Sequence, residues 1–172
     1  MKKAILFVTL IFGLLSSCSE SKSAPSYLNN KPFPEDIQQY KIQNVNGEMV
    51  TLKEILEKHK GKKVVLDFWA SWCGDCLTGL PSLQDLQEET KNVDYVFLSV
   101  DRSSERWKRA ITKFNIQGDH YFFIEGYTNT LTEYVSLDWI PRYMVIDEQG
   151  IIIDAKSTRA SDKEFRKLLL EN

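Results

Sequence analysis

Residues 64–76 read V-V-L-D-F-W-A-S-W-C-G-D-C, and this stretch decides the fold. An apolar run typical of a buried strand ends in Cys73 and Cys76, which have C-x-x-C spacing. Two cysteines three residues apart at the start of a helix lie on one face, so their sulfurs can form and break a disulfide, and the helix N-terminus can stabilise a thiolate. C-x-x-C also occurs in zinc sites, but here a strand precedes it directly and Asp67 lies six residues before Cys73. This context indicates a redox pair.

The first 18 residues have the pattern of an export signal. Lys2 and Lys3 precede an apolar run at residues 4–15, which is short for a membrane span of about 20 residues. The run ends in Leu-Ser-Ser-Cys, which resembles the cleavage box of a bacterial lipoprotein signal peptide. We therefore predict a signal peptide at residues 1–17 and a lipid on Cys18. The alternative is an ordinary signal peptide in which Cys18 occurs by chance.

The rest of the chain is predicted to be a tether followed by one domain. Cleavage before Cys18 leaves 155 of the 172 residues, which suits a single domain. Residues 19–34 are rich in Ser, Lys, Asn and Pro, a composition typical of a flexible linker. We assign residues 18–34 to the tether and residues 35–172 to the domain.

The number of cysteines and the net charge limit the functions that the chain can have. The chain has three cysteines, so lipidation of Cys18 would leave Cys73 and Cys76 as the only thiols. An exported protein meets an oxidising environment, and two cysteines in one C-x-x-C indicate a working pair rather than a structural framework. Cleavage removes two lysines and no acids, so the formal net charge changes from −2 to −4. Because the chain is mildly acidic and shows no basic stripe, we do not expect nucleic acid as a partner.

Strand and helix patterns alternate along the domain. Asn46-Gly47 is a signal for a two-residue hairpin turn, and Thr51 with Glu54 forms a capping box before a short helix. Residues 115–137 are aromatic and show no regular pattern. The predicted strands are residues 40–45, 48–52, 63–70, 94–101, 142–147 and 151–155, and the longer predicted helices are residues 73–90, 103–114 and 162–170. This order predicts an α/β fold, a three-layer α/β/α sandwich with a mixed central sheet and an N-terminal β-hairpin.

The sequence resembles the thioredoxin superfamily. The resemblance rests on F-W-A-x-W-C-x-x-C at residues 68–76, on Asp67, on the helix proline Pro81 and on Ile140-Pro141 before a strand. The hairpin, the lipoprotein signal and the long segment before Pro141 are most similar to the TlpA/ResA-like branch. Members of that branch are membrane-tethered thiol-disulfide oxidoreductases of the bacterial envelope, so the resemblance implies a thioredoxin-like fold over residues 35–172.

Thiol chemistry and the resemblance together suggest roles for three residues. Cys73, at the helix N-terminus, is expected to be the more exposed thiol with the lower pKa, and its thiolate would attack a substrate disulfide. Cys76, one turn deeper, would then attack Cys73 and release the reduced substrate. Asp67 is the candidate proton acceptor, because a buried carboxyl has a raised pKa and can exchange protons near neutrality. The alternative for Asp67 is an acid at the strand end that is exposed to solvent.

The resemblance also suggests a substrate-docking edge. It implies that the Ile140-Pro141 bond is cis and that the backbone of Ile140 pairs with an extended substrate, whereas most X-Pro bonds are trans. Trp72 would form the rim of the site or simply pack on the surface. Gly74 and Asp75 are candidates for tuning the redox properties of the pair.

Within the C-x-x-C motif, Gly74-Asp75 departs from the Gly-Pro that is common in the superfamily. Acids are favoured in the first turn of a helix, which would explain Asp75 without any redox role. Its negative charge should also disfavour a thiolate on Cys73, which favours a reductant over an oxidant.

No other residues suggest a second site. His59 lies in a lysine-rich stretch and His120 in the irregular segment, so we expect no metal and no cofactor. We interpret Trp69 as a core residue, and Trp139 and the aromatic residues 121–123 as core or loop packing, with a substrate-binding surface as the alternative.

The sequence therefore predicts an enzyme, a lipid-anchored thiol-disulfide oxidoreductase that faces the periplasm and reduces disulfides of protein substrates. It would be monomeric and would need a membrane electron donor. One alternative is a peroxide reductase, although Cys73 lacks the P-x-x-x-[ST]-x-x-C context of peroxiredoxins. Another is a binding or chaperone-like envelope lipoprotein, or a metal carrier, that keeps the fold without turnover.

Overall fold

A mixed seven-stranded sheet forms the centre of the computed structural model, which describes residues 27–171. The strand order is β2-β1-β5-β4-β3-β6-β7. The strands are β1 (Lys41–Asn44), β2 (Met49–Thr51), β3 (Lys63–Trp69), β4 (Val93–Ser99), β5 (Asp119–Phe122), β6 (Arg142–Ile146) and β7 (Ile152–Ser157). β3, β4 and β5 run parallel, while β6 and the two hairpins are antiparallel. All seven residues of β3 are buried, as expected for a central strand covered on both faces.

Helices cover both faces of the sheet, and the predicted three-layer α/β/α sandwich is confirmed. The helices are α1 (Glu35–Gln38), α2 (Leu52–Lys58), α3 (Gly74–Glu89), α4 (Ser104–Lys113), α5 (Thr130–Tyr134) and α6 (Lys163–Leu170). By strand register Phe122 and Tyr143 lie on one face of the sheet, and the rings of Trp107 in α4 and Phe165 in α6 pack on them. The burial of every residue of β3 shows that the opposite face is covered as well. Thr51 caps α2 with Glu54 in the predicted capping box. None of the helices described in residues 27–171 is long and apolar enough to cross a membrane.

Strand direction brings two separate parts of the chain to one edge of the sheet. β6 is antiparallel to β3, and Phe68 near the end of β3 pairs with Arg142 at the start of β6. The residues that follow β3 therefore meet the residues that precede β6. This edge contains Cys73 and the Ile140-Pro141 pair.

The predicted boundary between the tether and the domain, at residue 34, lies too far along the chain, because the folded domain includes earlier residues. Leu28 and Phe33 are buried, and the backbone N–H of Asn30 donates to the carbonyl of Ile152 at 2.8 Å. Residues 27–34 therefore belong to the folded domain, because isolated apolar side chains in a polar stretch dock on the core. The predicted signal peptide, Cys18 and residues 19–26 lie outside the described residues.

Two local predictions were wrong. The hairpin between β1 and β2 has a three-residue loop, since the N–H of Asn44 donates to the carbonyl of Glu48 at 2.9 Å and Gly47 has φ +91°. The segment 115–137 is not irregular, because it contains β5 and α5. These elements have four and five residues, which is too short to show a period in the sequence.

Candidate active site

Cys73 and Cys76 form a disulfide at the N-terminus of α3, with Cα atoms 5.2 Å apart. Cys73 is the N-cap residue, and the backbone N–H of Cys76 donates to its Sγ at 3.1 Å. After reduction, the same donor and the helix dipole would stabilise a thiolate on Cys73. Cys73 is only 6% exposed and Cys76 is 4% exposed, so the expected difference in exposure is nearly absent in this oxidised form.

Asp101 holds the loop that carries the cysteines. Its carboxylate accepts hydrogen bonds from the backbone N–H of Ser71 at 2.8 Å and from the Ser71 hydroxyl at 2.6 Å. The hydroxyl of Ser99 donates a third at 2.8 Å. The sequence analysis did not identify Asp101 as a site residue, and its only signal is its place at the end of the predicted strand 94–101, two residues beyond the end of β4.

The Ile140-Pro141 bond is cis, as predicted, and both residues are buried. The carbonyl oxygen of Ile140 lies 3.6 Å from Cys73 Sγ. The structure thus brings together two predicted elements that are 67 residues apart in the chain.

A buried arginine anchors the loop before Pro141. Arg142 is fully buried and forms an ion pair with Asp138, which also pairs with Lys156 at 2.9 Å. A buried charge is costly unless it is paired, so this contact fixes the backbone between Asp138 and Arg142. It therefore positions Ile140 against the disulfide.

Asp67 lies in the interior of the sheet, as predicted. It is 3% exposed, and its Oδ1 has no hydrogen-bond partner in the described structure. Its register partners are Phe97 on β4 and Tyr143 on β6, so both neighbouring strands present aromatic residues to it. Burial raises the pKa of Asp67 well above its ordinary value.

Tyr143 is a site residue that the sequence analysis missed. It pairs across the sheet with Asp67, and a Cβ at Gly79 of α3 would lie 3.9 Å from its hydroxyl. Burial, and secondarily the charge of Asp67, raises the pKa of Tyr143. Its position two residues after Pro141 was the only available signal.

Two tryptophans flank the disulfide. Trp72 is 58% exposed and Trp139 is 59% exposed. Trp139 is therefore not a core residue, and it lines a groove of about 480 Å³ together with Asp75 and Pro141. Trp69 is buried, as expected. Gly74 and Asp75 are exposed in the first turn of α3.

The two histidines lie in other parts of the fold. His59 is buried between Asp94 at 2.8 Å and Asp119 at 3.0 Å, and the ring of His120 contacts the carbonyl of Ile116 at 3.0 Å. Burial lowers the pKa of His120. Within residues 27–171, no group of three or more His, Cys, Asp or Glu side chains is arranged to hold a metal ion.

Comparisons with known proteins support a redox site. The sequence model of the family described as Redoxin matches residues 29–169. The chain is 28% identical over 130 residues to the thioredoxin-like protein YneN of Bacillus subtilis. This match covers 76% of this chain and 74% of YneN. It is 29% identical over 99 residues to the thiol-disulfide oxidoreductase ResA of Oceanobacillus iheyensis, a match that covers 56% of this chain and 48% of ResA.

Solved structures agree with the sequence comparisons. A proposed thiol-disulfide oxidoreductase from Bacteroides vulgatus superposes with a TM-score of 0.63 at 31% identity. The superposition covers 76% of this chain and 83% of that one. Fold and sequence therefore indicate the same family.

The environment of Asp67 predicts how stability depends on pH. Above about pH 4 the unfolded carboxyl loses its proton, whereas the folded one keeps it up to its raised pKa, so the protein loses stability as pH rises through this window. Asp67→Asn removes this loss. Its gain in unfolding free energy over wild type should be smallest near pH 4 and should grow by up to about 1.4 kcal/mol per pH unit in the window. Urea unfolding of the oxidised proteins between pH 4 and pH 8 measures it.

Asp94→Asn provides a control of opposite sign. Burial acts to raise the pKa of Asp94, but hydrogen bonds from Lys62 and His59 outweigh it and lower the pKa. Wild type should therefore be more stable than Asp94→Asn above about pH 4, and the difference should fade as pH falls through the lowered pKa. Parallel stability curves for wild type and Asp67→Asn would contradict the account of Asp67.

Proposed function

This chain belongs to the redoxin family as a ResA/TlpA-like thiol-disulfide oxidoreductase of the thioredoxin superfamily, and we propose that it reduces disulfides of proteins in the bacterial cell envelope. The observation that carries the proposal is the disulfide at the N-terminus of α3, with Cys73 Sγ 3.6 Å from the carbonyl of Ile140. A reactive sulfur is thereby placed beside a backbone edge that can bind an extended chain.

The reaction starts from the reduced pair. The thiolate of Cys73 attacks one sulfur of the substrate disulfide, a bond forms between Cys73 and that sulfur, and the other substrate sulfur leaves as a thiolate and takes a proton. The N–H of Cys76 and the dipole of α3 support the Cys73 thiolate before attack.

The second step releases the substrate. The thiol of Cys76 gives its proton to the carboxylate of Asp67 and attacks Cys73 Sγ, so the bond between Cys73 and the substrate breaks and the disulfide of the oxidised protein forms. The substrate sulfur leaves as a thiolate and takes a proton. Two electrons pass to the substrate. Because burial raises its pKa, Asp67 can accept this proton near neutral pH more readily than an exposed carboxylate could.

Docking of the substrate uses the edge before β6. The backbone groups of Ile140, fixed by the cis bond to Pro141, pair with the extended segment around the substrate cysteine. Trp72 is exposed next to Cys73 and forms one rim of the site. Trp139, exposed at the other rim, adds a second aromatic surface.

The direction of electron flow is that of a reductase. Asp75 adds a negative charge in the exposed first turn of α3, which opposes a strongly stabilised thiolate, and strong oxidants of this type depend on such stabilisation. The oxidised pair must then be reduced again, and a membrane reductase that supplies two electrons and two protons is the donor.

A lipid on Cys18 tethers the protein to a membrane on the side that faces the periplasm. This part of the proposal rests on the sequence pattern at residues 1–18. Only eight residues lie between Cys18 and Tyr27, where the described structure begins, so the lipid would hold the active site near the membrane donor.

Trapping tests the two-step mechanism. Cys76→Ser can carry out the first step but cannot resolve it, so it should accumulate as a mixed disulfide with a substrate protein, whereas wild type should accumulate little. Gel electrophoresis without reductant measures the adduct after reduced protein is mixed with insulin, a disulfide-bonded probe.

Two variants serve as controls for trapping. Cys73→Ser and the double variant that lacks both thiols should form no adduct and should not reduce insulin when dithiothreitol supplies electrons. Insulin reduction by Cys73→Ser at the wild-type rate would contradict the mechanism. If Cys76→Ser traps no partner and wild type reduces no disulfide, the fold serves binding without turnover.

Removal of Cys18 tests the tether separately. Cys18→Ser should move the protein from the membrane fraction of cells to the soluble fraction, because one residue carries the lipid. The rate of insulin reduction by the purified protein should stay within about twofold of wild type, since Cys18 takes no part in exchange. Retention of Cys18→Ser in membranes at the wild-type level would refute lipidation.

A further inference from the structure

The outer face of α4 is basic, which the sequence analysis did not recognise. Residues 102–113 contain five of the 22 Lys and Arg side chains but only one of the 24 acids. The rest of the chain therefore has 17 basic and 23 acidic side chains. Arg106, Arg109 and Lys113 follow helical spacing along one face of α4, Arg102 lies just before the helix, and all four are exposed.

A groove lies between this face and the loop that carries the cysteines. We call it the α4 groove, and its volume is about 890 Å³. Ser71, Trp72 and Leu77 form the wall next to the disulfide, and Trp72 directly precedes Cys73. The α4 groove is thus continuous with the rim of the active site.

The other side of the α4 groove supplies positive charge that is not neutralised by ion pairs within the described chain. It contains Arg106, Lys108, Arg109 and Lys113, and none of these takes part in an ion pair anywhere in residues 27–171. No Asp or Glu lines the α4 groove in the described structure.

Other basic side chains and the single acid of α4 show the contrast. Lys62 and Arg166, for example, form ion pairs with carboxylates elsewhere on the surface. The acid of α4, Glu105, accepts a hydrogen bond from the Ser103 hydroxyl at 2.8 Å, and it interacts with Arg109 through charge without forming an ion pair. The charges of the α4 groove are therefore available to a partner.

An apolar floor accompanies these charges. Phe114 lines the α4 groove at the end of α4, and Nζ of Lys113 lies 5.0 Å from the centre of its ring. Leu77 and the indole of Trp72 add apolar surface on the other wall. A segment that fits must combine carboxylates with apolar side chains.

We propose that the α4 groove binds an acidic, partly apolar segment of the substrate protein close to its disulfide. The inference rests on the proposed function, since it names the kind of substrate on which Cys73 acts. Carboxylates of the segment would pair with Arg106, Arg109 and Lys113 while its cysteine lies over Cys73. Local positive charge on an otherwise acidic protein would steer such substrates to the site and repel basic ones.

A membrane surface fits this feature less well. The cations line an open surface groove, and the same groove is lined by Trp72, which directly precedes Cys73. A flat bilayer held there would cover the disulfide, whereas a polypeptide lying in the groove would deliver its own cysteine to Cys73. The geometry therefore favours a protein segment.

Charge-matched peptides test the inference. Two peptides share one intramolecular disulfide and the same length, but one carries four Asp or Glu residues beside it and the other four Lys. The reduced wild-type protein should react with the acidic peptide about tenfold faster at low ionic strength, and the ratio should approach one at high salt. Stopped-flow tryptophan fluorescence gives both second-order rate constants.

Two triple variants with the same change in net charge locate the effect. Arg106→Glu/Arg109→Glu/Lys113→Glu should invert the preference, whereas Lys41→Glu/Lys60→Glu/Lys163→Glu should keep the wild-type ratio. The three control lysines are exposed and make no ion pair within the described chain. Each protein is judged by the ratio of its rate constants for the two peptides. A change in cysteine reactivity that affects both rate constants equally therefore cancels.

The other outcomes overturn specific parts of the account. The rate at which the protein reduces a small neutral disulfide is measured in parallel with the rates for the peptides. If wild type reduces it but shows no preference between the peptides, the role of the α4 groove is wrong and the proposed function stands. If no disulfide is reduced, the proposed function fails and the inference fails with it. If the α4 triple variant loses binding to phosphatidylglycerol vesicles yet keeps the wild-type peptide ratio, the basic face binds membranes instead.

Discussion

The burial of one carboxyl without a charged partner is the constraint on which the site depends. Two acids, Asp67 and Asp101, are deeply buried within residues 27–171, and their environments differ. Asp101 accepts three hydrogen bonds and holds the loop before Cys73, whereas Asp67 lies between Phe97 and Tyr143 with an orphaned oxygen. Hydrogen bonds donated to a buried carboxylate stabilise its charged form, whereas a buried carboxyl without such donors favours the protonated form. One acid therefore serves structure, and the other is suited to taking and giving a proton.

The rest of the fold places reactive groups around that carboxyl. A parallel βαβ unit puts the N-terminus of α3 at the end of β3, and the antiparallel β6 returns the chain to the same edge. The ion pair of Arg142 and Asp138 then fixes the loop in which Ile140 reaches Cys73. The sulfurs and the proton acceptor come from one stretch of the chain, residues 67–76, and the sheet brings the docking edge at Ile140 to it from a second segment.

Local signals explain what the sequence could predict. The strand, the C-x-x-C pair and the acid lie within 13 residues, and the capping box at Thr51 is a contact between near neighbours. The prediction failed where tertiary packing decides the outcome. Leu28 and Phe33 are single apolar residues in a polar stretch, and only the finished core shows that they are buried. The basic face of α4 was visible in its spacing, but the acidic net charge of the whole chain concealed it.

Asp67 is proposed to accept the proton of Cys76 during release of the substrate. The rate of this release step as a function of pH tests that role. A mixed disulfide between Cys73 and a small neutral thiol is formed, and its resolution is followed in single turnovers from pH 5 to pH 8. Wild type should level off once Asp67 is ionised, while Asp67→Asn should be slower by about 10² at neutral pH and should keep rising toward the pKa of the thiol. Equal rates and identical pH profiles for the two proteins would contradict the account.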